Sequence, residues 1–203
     1  MTDILRQFIT ANQRLFERND YDKIYKDVPG RCRAELTEFL FNGPHINPLK
    51  YMSGTMSSYI LGKATIQGEL VIPKNIKAME NNALSGVTAP SLVIDSPDIK
   101  MGSDVLSESY FNKISLADGI KSIPKGFCKY CSVTSQVYLP ESVTRIKNDA
   151  FADCADSIRI ITPYRDNPAN RLIIPKGEIE WYRKHLRFTH APKEVEDNAV
   201  QAE

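Results

Sequence analysis

The residues of this chain best suited to chemistry are Cys128 and Cys131, two thiols spaced as Cys-x-x-Cys around Lys129 and Tyr130. Such a pair can run thiol–disulfide exchange or supply half of a tetrahedral zinc site. A zinc site needs a second ligand pair at matching spacing. The remaining candidates, Cys32, Cys154, His45, His185 and His190, are isolated from one another. None of the histidines has a Ser, Cys or carboxylate placed beside it in a nucleophile–base order. The acidic pairs Asp153/Asp156 and Glu178/Glu180 fall in loop and cap segments and read as solvated charge. Asp118-Gly119 is a turn, and no Gly-x-x-x-x-Gly-Lys-[Ser/Thr] phosphate loop occurs. The expectation is a chain without catalytic residues, metal or cofactor, in which Cys128 and Cys131 are structural.

What would position these side chains is a repeat. Ile72, Ile94, Leu116 and Leu139 lie 22 or 23 residues apart, and seven residues beyond them stand Met79, Met101, Ile123 and Ile146. Farther along each unit come Ala83-Leu84, Val105-Leu106, Phe127-Cys128 and Ala150-Phe151, then Val87, Ser109, Cys131 and Cys154. Cys131 and Cys154 thus share one slot, and Cys128 fills the slot that Phe151 takes one copy later. A period in the twenties marks a solenoid whose units bury their apolar faces only against one another. Such a stack offers an extended surface rather than a ready-made pocket.

Each unit opens on a strand triplet: Leu70-Val71-Ile72, Leu92-Val93-Ile94, Ile114-Ser115-Leu116 and Val137-Tyr138-Leu139, with Ile160-Ile161-Thr162 as a fifth and Arg171 to Pro175 as a displaced last one. Pro73, Pro140 and Pro163 follow three of them and end the ladder. Alternation sends the outer pair of each triplet to the core and the middle residue to the open face. Val71, Val93, Tyr138 and Ile161 should therefore form an exposed apolar row interrupted by Ser115. Such rows mark interaction surfaces, and Tyr is enriched at binding hot spots. Tyr130 is expected to contribute. A weaker basic line through Lys77, Lys100, Lys121 and Arg145 reads as ordinary solvated surface.

The ends differ from the middle. Residues 1–52 carry helical spacing: Ile4 to Phe16 behind a Thr2/Asp3 cap, Tyr21 to Val28 behind Asp20, and Cys32 to Leu40 ended by Asn42-Gly43-Pro44. They read as a helical headpiece capping the first repeat, joined by a connector over 53–65 to a solenoid over 66–175. Ile179, Tyr182 and Leu186 share a face of a capping helix over 176–190, and 191–203 has the composition of a disordered tail.

The 26 Lys and Arg against 25 Asp and Glu leave a formal charge of +1, which argues against a general nucleic-acid binder. No apolar stretch is long enough to span a bilayer, and the first residues lack a secretory pattern, so no membrane partner and a cytoplasmic location are expected.

The run Leu139-Pro140-Glu141-Ser142-Val143-Thr144-Arg145-Ile146-Lys147-Asn148-Asp149-Ala150-Phe151-Ala152-Asp153-Cys154 resembles one repeat of the BspA-like leucine-rich repeat family. The match extends over roughly 66–186 and is degenerate in the second unit. The headpiece, Leu36-Thr37-Glu38-Phe39-Leu40 running on to Asn47-Pro48-Leu49-Lys50-Tyr51-Met52, resembles that of short repeat proteins encoded by tailed bacteriophages. These resemblances imply an α/β solenoid, a leucine-rich-repeat array with helical caps, that binds proteins without catalysis. In a phage setting it would bind and inhibit or redirect a host bacterial protein, a defence component among the candidates. The alternative is a structural or adhesive repeat protein of a virion or cell surface, with a homo-oligomer contact on the apolar row. A third reading places an enzyme site at the headpiece junction around His45, Tyr51 and Tyr59.

Overall fold

The protein is described here as a computed structural model, in which residues 1–43, 47–163, 172–189 and the backbone of 200–202 are described. Its repeats coil into a solenoid of short parallel strands. These are β1 (Gly54–Met56), β2 (Leu70–Ile72), β3 (Ile76–Met79), β4 (Thr88–Ile94), β5 (Lys100–Met101), β6 (Tyr110–Leu116) and β7 (Ser122–Ile123). They continue as β8 (Gln136–Tyr138), β9 (Arg145–Ile146), β10 (Arg159–Thr162), β11 (Leu172–Ile174), β12 (Leu186–Phe188) and β13 (Val200–Ala202). Even-numbered strands form one six-stranded sheet, from β2 at one edge to β12 at the other. The odd-numbered strands form a three-stranded sheet, β1-β3-β5, and a four-stranded sheet, β13-β11-β9-β7.

Strand alternation sets which side chains are inside. Leu70, Ile72, Leu92, Ile94, Ile114 and Val137 are fully enclosed, and so are Ile76, Ile123 and Ile160. These residues join one apolar core that runs from Leu5 in the headpiece to Leu186. At about 25 cal/mol per Å² of apolar surface removed from water, that shared core is the main stabilising term. No repeat owns it alone.

The third side of the coil is a column of turns. Tyr59, Asn82, Asp104, Gly126 and Asp149 occupy equivalent positions, all with positive φ between 52° and 61°. Asn, Asp and Gly tolerate that left-handed geometry best, which explains four of the five. Each turn donates forward to the next: Asn82 N–H to the Ser103 carbonyl (3.1 Å), Asp104 N–H to Lys125 (2.9 Å) and Gly126 N–H to Asn148 (3.3 Å). A second column does the same through Leu84, Leu106 and Cys128. Gly126 is needed for space as well, because a Cβ there would stand 2.0 Å from Asp104 Oδ1.

The headpiece comprises α1 (Asp3–Ala11), α2 (Gln13–Glu17), α3 (Tyr21–Asp27) and α4 (Arg33–Asn42). Thr2 and Asp20 cap α1 and α3 by accepting from Leu5 N–H and Lys23 N–H. Asn12 splits into α1 and α2 what the spacing predicts as one helix. The bundle packs directly on the first turn of the solenoid. Asn42 and Glu38 answer the backbone of Thr65 and Gln67, and Asn75 Nδ2 donates to the carbonyls of Leu49 (2.8 Å) and Met52.

Four expectations shift. The 53–65 connector already holds β1, paired with β3, so the coil begins earlier than residue 66. Leu172–Ile174 is a strand, but it joins the four-stranded sheet through Ile173 and Arg145 rather than extending the Ile160 series. The capping helix, α5 (Ile179–His185), is shorter than 176–190: the chain straightens at Leu186 and β12 pairs with β10. Val200–Ala202, within the segment expected to be disordered, pairs with β11. The rest of 191–203 lies outside the described residues.

Candidate protein-binding face

The parallel register of the six-stranded sheet brings the middle residues of the triplets into line. Val71 pairs with Val93, Val93 with Ser115, Ser115 with Tyr138, Tyr138 with Ile161 and Ile161 with Arg187. Their side chains stand about 4.8 Å apart from strand to strand. Val71, Val93, Ser115, Tyr138 and Ile161 are half-buried and Arg187 is exposed, while both flanks of each triplet are buried. The expected residues thus line up across the sheet, half-buried rather than exposed, with Ser115 interrupting the apolar row. The headpiece meets this sheet at its β2 edge, where Asn47 Nδ2 donates to the Val71 carbonyl (3.2 Å).

A second row, two residues earlier in each strand, runs Ser91–Lys113–Gln136–Arg159. It determines how Tyr138 is held. The Tyr138 hydroxyl donates to Gln136 Oε1 at 3.0 Å, and Lys113 Nζ sits 4.9 Å from the ring centroid. A cation over a Tyr face at such a site contributes about 0.5–1 kcal/mol. The ring therefore lies fixed against the sheet, which lowers the entropy lost when it is covered. At the opposite end Glu69 Oε2 accepts from the Ser91 hydroxyl at 3.0 Å. Extending the alternation by one step into each strand would have exposed this second row. The triplets drew attention away from it.

Where β4 and β6 run longer than their neighbours, Pro90, Tyr110 and Val133 border a shallow, mainly apolar depression of 590 Å³. Tyr110 is 45% and Val133 50% exposed. Tyr130 is not brought into the row. It belongs to the turn column, at the position held by Glu108 and Asp153 in the flanking repeats, with positive φ and Lys129 Nζ 4.9 Å from its ring.

The other sequence candidates fall apart as sites. Cys128 and Cys131 are enclosed free thiols: Cys131 Sγ donates to the Leu106 carbonyl (3.1 Å), and burial pushes the Cys128 thiol well above its ordinary pKa. Cys154 Sγ donates to the Cys128 carbonyl at 2.8 Å. All three thus hold neighbouring repeats together as small polar core residues. Among the described residues no group of three His, Cys, Asp or Glu could hold a metal ion. His185 is buried at α5, its ring stacked 4.0 Å from Trp181 with Nδ1 2.6 Å from the Trp181 carbonyl. His45 and His190 lie outside the described residues. Tyr51 packs on Tyr21 at 5.8 Å, and Tyr59 is a turn residue. Lys77, Lys100 and Arg145 sit on the odd-numbered strands, with Lys121 just before β7, away from the row.

The model of the BspA type leucine rich repeat region matches residues 55–165 in six copies, more than half of the chain. The chain belongs to that family. The match begins within β1, where the coil itself begins, and spans β2, β4, β6, β8 and β10 of the main sheet, with β12 beyond it. Comparison with curated proteins and with solved structures finds no match. A repeat array of this family is generally a scaffold that presents a surface for binding. Among the described residues no helix is long and apolar enough to cross a membrane.

Proposed function

We propose that this repeat protein is a non-enzymatic protein-binding module that holds its partner on the face of the six-stranded sheet. The observation that carries this reading is the row Val71–Val93–Ser115–Tyr138–Ile161, half-buried in the free chain and aligned by strand register. Tyr138 and Ile161 are the anchors, because Tyr is enriched at hot spots and Ile161 stands beside Tyr138 in the register. Val71 and Val93 extend the contact, and Tyr130 lies outside it.

The headpiece resemblance supports a finer proposal. The protein is phage-encoded and acts in the bacterial cytoplasm, where it binds and inhibits or redirects a host protein, with a defence component as the favoured target. The test is an affinity capture from bacterial lysate with wild-type chain and with a Tyr138→Asp/Ile161→Asp double variant whose circular dichroism matches wild type. A host protein held by the wild type and released by the variant is the expected result. Equal capture by both would remove the sheet face from the interface. Self-association of the wild type alone would assign the row to a homo-oligomer and favour the structural reading.

A further inference from the structure

The face is not uniform, and its polarity says what its partner looks like. Toward β2 it carries Val71, Val93 and the carboxylate of Glu69, which is engaged by Ser91. Toward β12 it carries Lys113, Arg159 and Arg187, all exposed, set around Tyr138 and Ile161. Lys113 and Arg159 are two strands apart, about 10 Å, and Arg187 is one strand farther. Among the described residues their contacts are with neutral groups: the Tyr138 ring for Lys113, the Ser157 carbonyl (3.3 Å) for Arg159 and the Leu186 carbonyl (2.6 Å) for Arg187. Among the described residues no carboxylate pairs with any of the three. Three cations on one half of a face, in a chain whose overall charge is only +1, form a local field rather than a general one.

We infer, on the footing of the binding function proposed above, that the partner is a protein segment with an apolar anchor flanked by carboxylates. The anchor covers Tyr138 and Ile161, and its acidic flank lies over β10 and β12. Arg159 and Arg187 still have guanidinium donors beyond their carbonyl contacts, as bidentate carboxylate recognition requires. A nucleic-acid strand fits less well. Its phosphates recur every few ångströms, whereas these cations are separated by Ile161 and Gln136 and stop at β6.

The test is a random peptide display library panned on the full chain, on a Lys113→Glu/Arg159→Glu/Arg187→Glu variant and on Tyr138→Ala/Ile161→Ala. The wild type should enrich peptides with carboxylates beside an apolar residue, and affinity for the charge-reversed variant should fall about tenfold or more. That variant should enrich basic peptides instead. Peptides without carboxylates that still require Tyr138 and Ile161 would overturn this inference and leave the binding face standing. Peptides indifferent to all five residues, or no enrichment, would overturn both. Displacement of the peptides by a fluorescein-labelled oligothymidylate, bound through the same three cations, would reassign the face to nucleic acid.

Discussion

The two ends of the coil solve the same problem by different means. At the first repeat the headpiece answers exposed backbone with uncharged amides for the most part. Asn42 both donates to the Thr65 carbonyl and accepts from Gln67 N–H, each at 2.8 Å, and Asn75 ties β3 to the Leu49–Met52 turn. At the last repeat α5 covers the core with rings. Phe151 stacks on Trp181 (6.2 Å, 9°) and meets Tyr182 edge-on (6.3 Å, 81°). The backbone there is met by the β10–β12 ladder, and among the described residues Glu178 Oε1 accepts Asp149 N–H at 2.8 Å and Arg187 donates to the Leu186 carbonyl. One end is sealed by hydrogen bonds as well as packing. The other is sealed by ring packing and an added strand, with few side chains on the backbone.

If that contrast is right, the largest single loss should come from the C-terminal rings. Phe151→Ala should cost about 3–5 kcal/mol in chemical denaturation, as for other large aromatics removed from a core. At the opposite end Gly62→Ala should cost about 2 kcal/mol, because its φ is +63° and a Cβ would lie 2.7 Å from the Ala34 nitrogen. Hydrogen exchange should then show α4 opening ahead of the repeats. A headpiece that stays protected would mean the junction is looser than its contacts suggest. Asn75→Ala should cost about 1–3 kcal/mol, since it strands buried carbonyls, whereas Glu178→Ala should cost nearer 1 kcal/mol. A reversal of that order would undo the distinction between the two ends.

Smaller still, Tyr182→Phe should be neutral or stabilising by up to about 1 kcal/mol. The Tyr182 hydroxyl is enclosed without a hydrogen-bond partner among the described residues, and burial holds its pKa well above the ordinary value. The least effect is a pH response. The Thr2 hydroxyl, at 2.7 Å, holds the Glu35 carboxyl below its ordinary 4.5, helped by the Thr2 N–H and the N-terminal ammonium. A lowered folded-state value stabilises α1 above the ordinary pKa and ceases to do so as pH falls below it. Exchange protection of residues 3–11 should therefore decline first on acidification, and decline equally at all pH values in Glu35→Gln.

Most of the solenoid was legible because burial repeats with the chain. Leu70, Leu92 and Ile114 must be apolar for one reason, so the reason shows as a period. The helix caps at Thr2 and Asp20 were legible too, since a capping side chain acts within three residues of itself. What escaped was decided by partners distant in sequence. Nothing local tells Leu172–Ile174 to pair with Arg145 rather than with β10, or tells Leu186 to leave its helix for a strand. Tyr130 has the right chemistry for the face and the wrong position in the repeat. Its slot is also held by Glu108 and Asp153, which register alone could have flagged. Lys113, Arg159 and Arg187 carry no periodic signal, because solvent-facing positions are free to vary.

The turn column has a consequence for how the chain is made. Every donor in it points toward the C-terminus, from Asn82 to Ser103, from Asp104 to Lys125, from Gly126 to Asn148, and finally from Asp149 to the side chain of Glu178. During synthesis each newly emerged repeat leaves the ribosome with its turn amides waiting for a segment still inside the exit tunnel. The nascent coil therefore always trails an unfinished rung, and the last one closes only when Glu178 clears the exit tunnel.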